Sequence, residues 1–263
     1  MDDKTYYNYL CEAPLALATE RYFECLIFFK KKFQPPILDL GCGEGIFAKK
    51  IVQYKLDIGL NINISELKKA IDFKTYKLLV CAYGNAIPLE DNSINTIISN
   101  SVLEHIVDLR NVLSEANRVL KRNGKMYVTV PTDMFDKYSI MFQLFSFLKL
   151  NSFAEKYRKY FNKFWKHYHF YSVENWTKLF EKYGFEVVES KLYDSKIFCL
   201  MNDFFVPFGF FAFLNKKIFN EWIICKKTRK YLAYVFDKFF KKKIENDYKK
   251  TEFGLVYFEL KKV

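Results

Sequence analysis

The spacing of apolar residues changes character several times along the 263-residue chain. Between residues 5 and 32, Leu10, Leu15, Leu17, Tyr22, Leu26 and Phe29 recur near the helical period, and Lys30, Lys31 and Lys32 suit a helix C-terminus. One N-terminal helix is expected there, broken by Gln34, Pro35 and Pro36. Ile37 to Leu40 is a short apolar run followed by glycines, as expected of a buried parallel strand, and Phe47 to Tyr54 resumes helical spacing. Asp57 to Ile62 predicts a second strand and Ser65 to Ile71 a helix with Ser65 as its N-cap. Lys77 to Ala82 and Asn95 to Ser99 predict the third and fourth strands. A helix over Leu109 to Leu120 should close with Gly124 as a left-handed C-cap, leading to a fifth strand, Lys125 to Val130, stopped by Pro131. Val173 to Tyr183 predicts a helix, Phe185 to Glu189 a sixth strand, and Phe253 to Leu260 alternates like a last edge strand.

This alternation predicts an α/β fold, a doubly wound and mostly parallel seven-stranded sheet. Residues 133–170 and 194–250 interrupt it as helical insertions, and 5–32 forms a helical cover. The expected organisation is a single domain over 1–263. Charge follows the insertions. Of a net +12, residues 194–250 contribute +7 and residues 133–170 contribute +4, and both segments are rich in Phe and Tyr. An acidic partner should therefore meet the protein there. The six cysteines contain no C-x-x-C pair, and with only three histidines no metal site can be assembled from spacing. The acidic, polar start MDDKTYYNYL does not read as a signal peptide, so the expected location is the cytoplasm.

The sharpest motif is Asp39-Leu40-Gly41-Cys42-Gly43-Glu44-Gly45, after a strand and before a helix. Its glycines permit a tight turn and let a ligand approach the backbone. The dinucleotide fingerprint needs a glycine three residues after Gly43, where Ile46 stands, and no Gly-Lys-Ser/Thr completes a P-loop.

With these blocks the chain resembles the class I S-adenosylmethionine-dependent methyltransferases, the small-molecule type with the DLGCGEG motif. The resemblance runs through ILDLGCGEG at 37–45, GLNIN at 59–63, NAIPLEDNSINTIISNSVLEHI at 85–106, RVLKRNGKMYVTVP at 118–131 and HFYSVENWTKLFEKYGFEVVE at 169–189. It implies a Rossmann-like methyltransferase fold with S-adenosylmethionine as cofactor. Asp39, Gly41, Cys42, Gly43 and Gly45 would border the methionine moiety. The end of the second strand normally offers a carboxylate to the ribose hydroxyls, and here that position is Asn61, followed by Ile62. The loop after the third strand normally offers an acid to the adenine amino group, and here Tyr83 and Gly84 stand there. Asn100 would face the reaction centre, with Glu104 or His105 as a general base for acceptors that need one.

His167 and His169 alternate around Tyr168, so both point to one side of an extended segment and could line an acceptor pocket. Lys226 to Lys243 reads as a basic amphipathic helix. The apolar run from Phe204 to Leu214 is too short to span a bilayer, which takes ~20 apolar residues. Segment 194–250 is compatible with an acceptor lid or with an anionic membrane surface. Nucleic acid fits less well, because no recognised RNA-binding module accompanies the charge. The reading is therefore a methyltransferase acting on a small or lipid/glycan-linked acceptor, cytoplasmic or peripheral on the inner face of a membrane, with no metal. The alternatives are a methyltransferase-fold scaffold, motivated by Asn61 and Tyr83, and an RNA methyltransferase.

Overall fold

The computed structural model describes residues 4–219, 223 and 225–263. Residues 1–3 of the polar start, and 220–222 and 224 of the 194–250 segment, lie outside the described residues. In chain order the elements are α1 (Thr5–Glu12), α2 (Leu15–Phe28), β1 (Ile37–Leu40), α3 (Ile46–Ile51), β2 (Leu56–Asn61), α4 (Ile64–Phe73), β3 (Tyr76–Cys81) and β4 (Ile94–Asn100). They continue with α5 (Leu109–Val119), β5 (Leu120–Pro131), α6 (Ile140–Phe147), α7 (Asn151–Trp165), α8 (Val173–Lys182), β6 (Phe185–Ser195), α9 (Lys196–Phe219), α10 (Lys226–Glu245) and β7 (Phe253–Lys262).

The strands form a seven-stranded sheet in the order β3-β2-β1-β4-β5-β7-β6, parallel from β3 to β5 and antiparallel between β5 and β7. This is the doubly wound, Rossmann-like sheet with flanking helices that the alternation predicts. Five local expectations are corrected. The N-terminal helix is two helices, because Pro14 lacks a donor and drives Ala13 into an extended conformation (φ −133°, ψ 162°). α2 ends at Phe28, so Lys31 lies beyond the helix end, where it pairs with Glu259 at 2.9 Å. The N-cap of α4 is Asn63, whose side chain accepts from the Ser65 amide. After α5 the left-handed residue is Asn123 (φ 63°). Gly124 is needed for a different reason, since a Cβ there would stand 2.8 Å from the Lys121 carbonyl oxygen and 3.0 Å from that of Asn95. Finally, β7 is internal, between β5 and β6. Residues Gly254 to Leu260 are all buried, so what looked like edge alternation is a strand covered on both faces.

The chain divides into two compact units, 31–133 with 161–192 and 255–263, and 1–30 with 134–160 and 193–254. The first holds most of the sheet. Its core joins Leu38, Ile97, Leu113, Val128 and Phe258 to Trp176 of α8. The Trp176 indole is fully buried, donates to the Pro131 carbonyl at 2.9 Å and stacks on Phe180 at 5.6 Å. The second unit packs α1 and α2 against α10 and α9. Tyr6 stacks on Tyr22 at 4.7 Å, Tyr22 donates to Glu245 at 2.8 Å, and Arg229 donates to the carbonyls of Leu10 and Ala13. Buried Glu24 accepts from Arg21 at 2.6 Å and from Tyr193 at 3.1 Å.

Trp176→Ala removes a stacked, hydrogen-bonded ring from a closed core and should cost about 3–5 kcal/mol. Urea denaturation should show this as a lower midpoint at unchanged slope.

Candidate functional site

β1 ends at Leu40, and the chain turns through three glycines with positive φ, Gly41 (+82°), Gly43 (+52°) and Gly45 (+78°). The amides of Gly41 and Cys42 both donate to the Leu60 carbonyl, at 2.8 and 3.0 Å, which ties the turn to the end of β2. The surroundings of the glycines differ. A Cβ on Gly41 would lie 2.5 Å from a Val102 methyl, so here the turn touches the segment after β4. A Cβ on Gly45 would lie 3.0 Å from the Tyr76 ring. Around Gly43 the space is open, the nearest atom being Oε2 of Glu66 at 4.0 Å. Packing dictates glycine at 41 and 45, while Gly43 presents bare backbone.

Beneath the turn, Asp39 is almost fully buried in β1 and accepts a 2.6 Å hydrogen bond from the Tyr76 hydroxyl. The Tyr76 ring fits because Gly59 of β2 also lacks a side chain, as a Cβ there would stand 2.9 Å from it. Burial pushes the Asp39 carboxyl up to about 7, and the bond from Tyr76 only partly opposes the shift. Burial also pushes the Cys42 thiol up, so it is no nucleophile near neutrality.

At the end of β2, Asn61 is buried and its amide donates to Glu66 Oε2 at 2.8 Å, while its own oxygen accepts from the Ile62 amide at 3.0 Å. Glu66 lies in the first turn of α4. Ile62 is 60 % exposed and Tyr83 69 % exposed. The strand ends carrying them are adjacent, with Asn61 opposite Cys81 and the Ala82 amide on the Asn61 carbonyl at 3.2 Å. Gly84 lies close under Leu40 and Val112, at 3.3 and 3.4 Å from a built Cβ. Asn100 ends β4, its oxygen accepting from Thr129 at 3.0 Å.

Glu104 and His105 lie on a short 3-10 turn, Leu103–His105. The Glu104 side chain is buried, and its backbone carbonyl accepts from the Tyr168 amide at 2.8 Å. His105 is half exposed, with Nδ1 3.2 Å from the Lys166 carbonyl and its ring 5.1 Å from that of His167. Burial, reinforced by His105, pushes His167 down to about 3, so it is neutral near pH 7. His169 Nε2 donates to the Ile106 carbonyl at 2.8 Å, and its Nδ1 contacts the Tyr171 hydroxyl at 2.9 Å. His167 and His169 thus have different surroundings, one against His105 and the other on a backbone carbonyl. Among the described residues no group of three or more His, Cys, Asp or Glu is arranged to hold a metal.

The structure thus gathers Asp39, the glycine turn, Cys42 and Asn61 into one neighbourhood, with Ile62, Tyr83 and Gly84 on the next strand ends. Glu104 and His105 follow the Val102 contact. Sequence reasoning missed Tyr76 and Glu66. A glycine in mid-strand at position 59 signals a close neighbour, which is Tyr76. For Glu66 the only signal is an acid five residues past a neutral strand end.

Residues 12–190 match the family model described as "Methyltransferase domain". An uncharacterised protein of Methanocaldococcus jannaschii is 28 % identical over 153 residues, 58 % of this chain and 65 % of the relative. A Mycolicibacterium smegmatis protein described as a probable S-adenosylmethionine-dependent methyltransferase is 30 % identical over 97 residues, 36 % of this chain and 37 % of the relative. The matched segment therefore spans less than two thirds of either relative. Among solved structures, geranyl diphosphate methyltransferase in complex with S-adenosylmethionine superposes with a TM-score of 0.51 at 12 % identity, covering 91 % of this chain and 84 % of that one, which speaks for the fold. The glycine turn, the sheet order and the family match agree, and the chain belongs to the methyltransferase domain family, whose cofactor is S-adenosylmethionine.

Proposed function

We propose that this chain transfers a methyl group from S-adenosylmethionine to a small acceptor or one carried on a lipid or glycan. The observation that carries the reading is the open backbone at Gly43, with a buried carboxyl below it and a polar strand end beside it. Asp39 would receive the ligand's ammonium, and Gly41, Cys42, Gly43 and Gly45 would border its amino-acid part. Exposed Ile62 and Tyr83 would hold the adenine between apolar faces, with Gly84 giving backbone access and Asn100 facing the reacting end. The bound cofactor supplies an electrophilic methyl. The chain's own part is to align the acceptor and, where the acceptor holds a proton, to remove it. Half-exposed His105 suits that role better than buried Glu104, which would act through it.

Calorimetric titration with S-adenosylmethionine and S-adenosylhomocysteine tests this directly. Micromolar binding of both is expected, and no binding at millimolar ligand would leave the fold as a scaffold. The affinity should depend on pH with a definite sign. Asp39 keeps its proton up to about 7, and pairing with an ammonium requires its loss. Affinity should therefore fall by up to about tenfold per unit as pH drops below that value, and level off above it. Asp39→Asn should flatten the profile in the same titration.

The finer reading, a lipid-linked acceptor at a membrane surface, is supported by two exposed basic aromatic faces. On α10, Tyr231, Leu232, Tyr234 and Phe239 are exposed together with Lys227, Lys230, Lys238 and Lys242. α6 is apolar almost throughout yet has no buried residue, and its last residue Phe147 (84 %) is exposed together with Leu148, Lys149 and Leu150 of the turn that follows. Among the described residues no helix is long and apolar enough to cross a membrane, so attachment would be interfacial. The chain should sediment with anionic vesicles at low ionic strength and be released by salt. Phe147→Ser with Leu148→Ser, and separately Lys238→Glu with Lys242→Glu, should each reduce sedimentation. No binding of the wild-type chain at low salt would remove the membrane from the reading.

A further inference from the structure

We infer that the carboxylate this site offers to a vicinal diol comes from Glu66 on α4, with Asn61 as the bracket that orients it. The inference rests on the reading that the site binds S-adenosylmethionine, whose ribose carries such a diol. A diol presents two O–H donors, and a carboxylate accepts both with charge assistance, which a neutral amide does not. Asn61 has one acceptor position left for them, because one of the two on its oxygen already takes the Ile62 amide at 3.0 Å. Its amide nitrogen, in turn, donates to Glu66 Oε2 at 2.8 Å. The same Oε2 is the nearest atom to the open side of Gly43, 4.0 Å from a built Cβ. One carboxylate oxygen therefore bonds the end of β2 and borders the open space over Gly43, where a ligand resting on the turn would pass. A carboxylate has about four acceptor positions and can serve several donors at once.

The arrangement also explains the neutral residue at position 61. An Asp there would set a second carboxylate at hydrogen-bond distance from Glu66, and one of the two would have to take up a proton. An Asn donates where an Asp would repel. In this chain the acid has moved from the strand to the helix, and the strand residue has become its donor.

The test compares S-adenosylhomocysteine with an analogue lacking both ribose hydroxyls, by calorimetry. Glu66→Gln should weaken the first by about tenfold while leaving the second unchanged, so that the coupling reports the diol itself. Asn61→Asp alone should bind no tighter than wild type. Asn61→Asp with Glu66→Gln returns one carboxylate to the strand end and should recover most of the loss, which also guards against a single variant that merely folds badly. Equal loss for both ligands in Glu66→Gln would reduce Glu66 to a structural brace and overturn the inference. So would unchanged binding of S-adenosylhomocysteine, or tighter binding by Asn61→Asp alone. Failure of the wild-type chain to bind either ligand would instead overturn the cofactor reading, and this inference with it.

Discussion

The site is organised around one buried hydrogen bond, from the Tyr76 hydroxyl to the carboxyl of Asp39 at 2.6 Å. A carboxyl inside a parallel sheet is expensive to keep unless it is bonded or neutral, and Asp39 is both bonded and displaced toward the neutral form. The bond requires the Tyr76 ring to pass over the sheet, which demands a glycine at position 59 and another at 45. Position 45 in turn is the last residue of the turn before α3. The carboxyl, the tyrosine and the two glycines thus form one closed set, and a side chain at either glycine would push the ring off its partner. The same contacts tie the turn to the sheet, and Gly43 presents open backbone at its edge.

What the sequence disclosed follows from which forces are local. Strand-helix alternation, the glycine turn and the order of the blocks are written in period and composition, and they specify the sheet up to β5. Failures occur where a distant neighbour decides. Phe253 to Leu260 could be read as an edge because alternation does not say what covers the second face, and in the fold β6 closes the sheet beyond it. Gly124 looked like a cap, whereas Asn123 takes the left-handed turn and Gly124 lets two carbonyls come close. Pro14 was legible in principle, since its missing donor ends a helix locally, but the apolar spacing on both sides masked it. Asp39 could be found from its motif. Tyr76 and Glu66 left only faint signals, a glycine in mid-strand at 59 and an acid five residues past a neutral strand end, because each acts on a residue of another element.

Burial sharpens the charge asymmetry of the two insertions. Asp136, Asp194 and Asp247 are all 2 % exposed or less. Arg158 holds both Asp136 and Glu155, each at 3.0 Å, and these are the two acids of 134–160. Desolvation raises the carboxyls of Asp194 and Asp247, which favours their neutral forms. Lysines 149, 156, 159, 227, 230, 238 and 242, by contrast, are exposed. The surface these segments present is therefore more basic than their composition states, and an anionic partner would sense that surface, with the buried acids contributing little.

Asn61 looks at first like damage to a binding site, the loss of a charge where one is expected. Its geometry argues otherwise, because a side chain that had merely lost its purpose would have no reason to place its donor on a carboxylate and its acceptor on a backbone amide. Both ends of the amide are used, and used in the only orientation that suits an acid on the helix beyond. A strand end is held at a fixed place by its ladder, while a helix end sits on its own cap, here Asn63, so an acid on α4 needs something to fix it relative to the sheet. The Asn61 amide supplies that link at 2.8 Å. Residue identity at a single position is therefore a poor measure of whether such a site is intact. The quantity that matters is where the negative charge ends up, and in this chain it remains beside the glycine turn, carried by a different element.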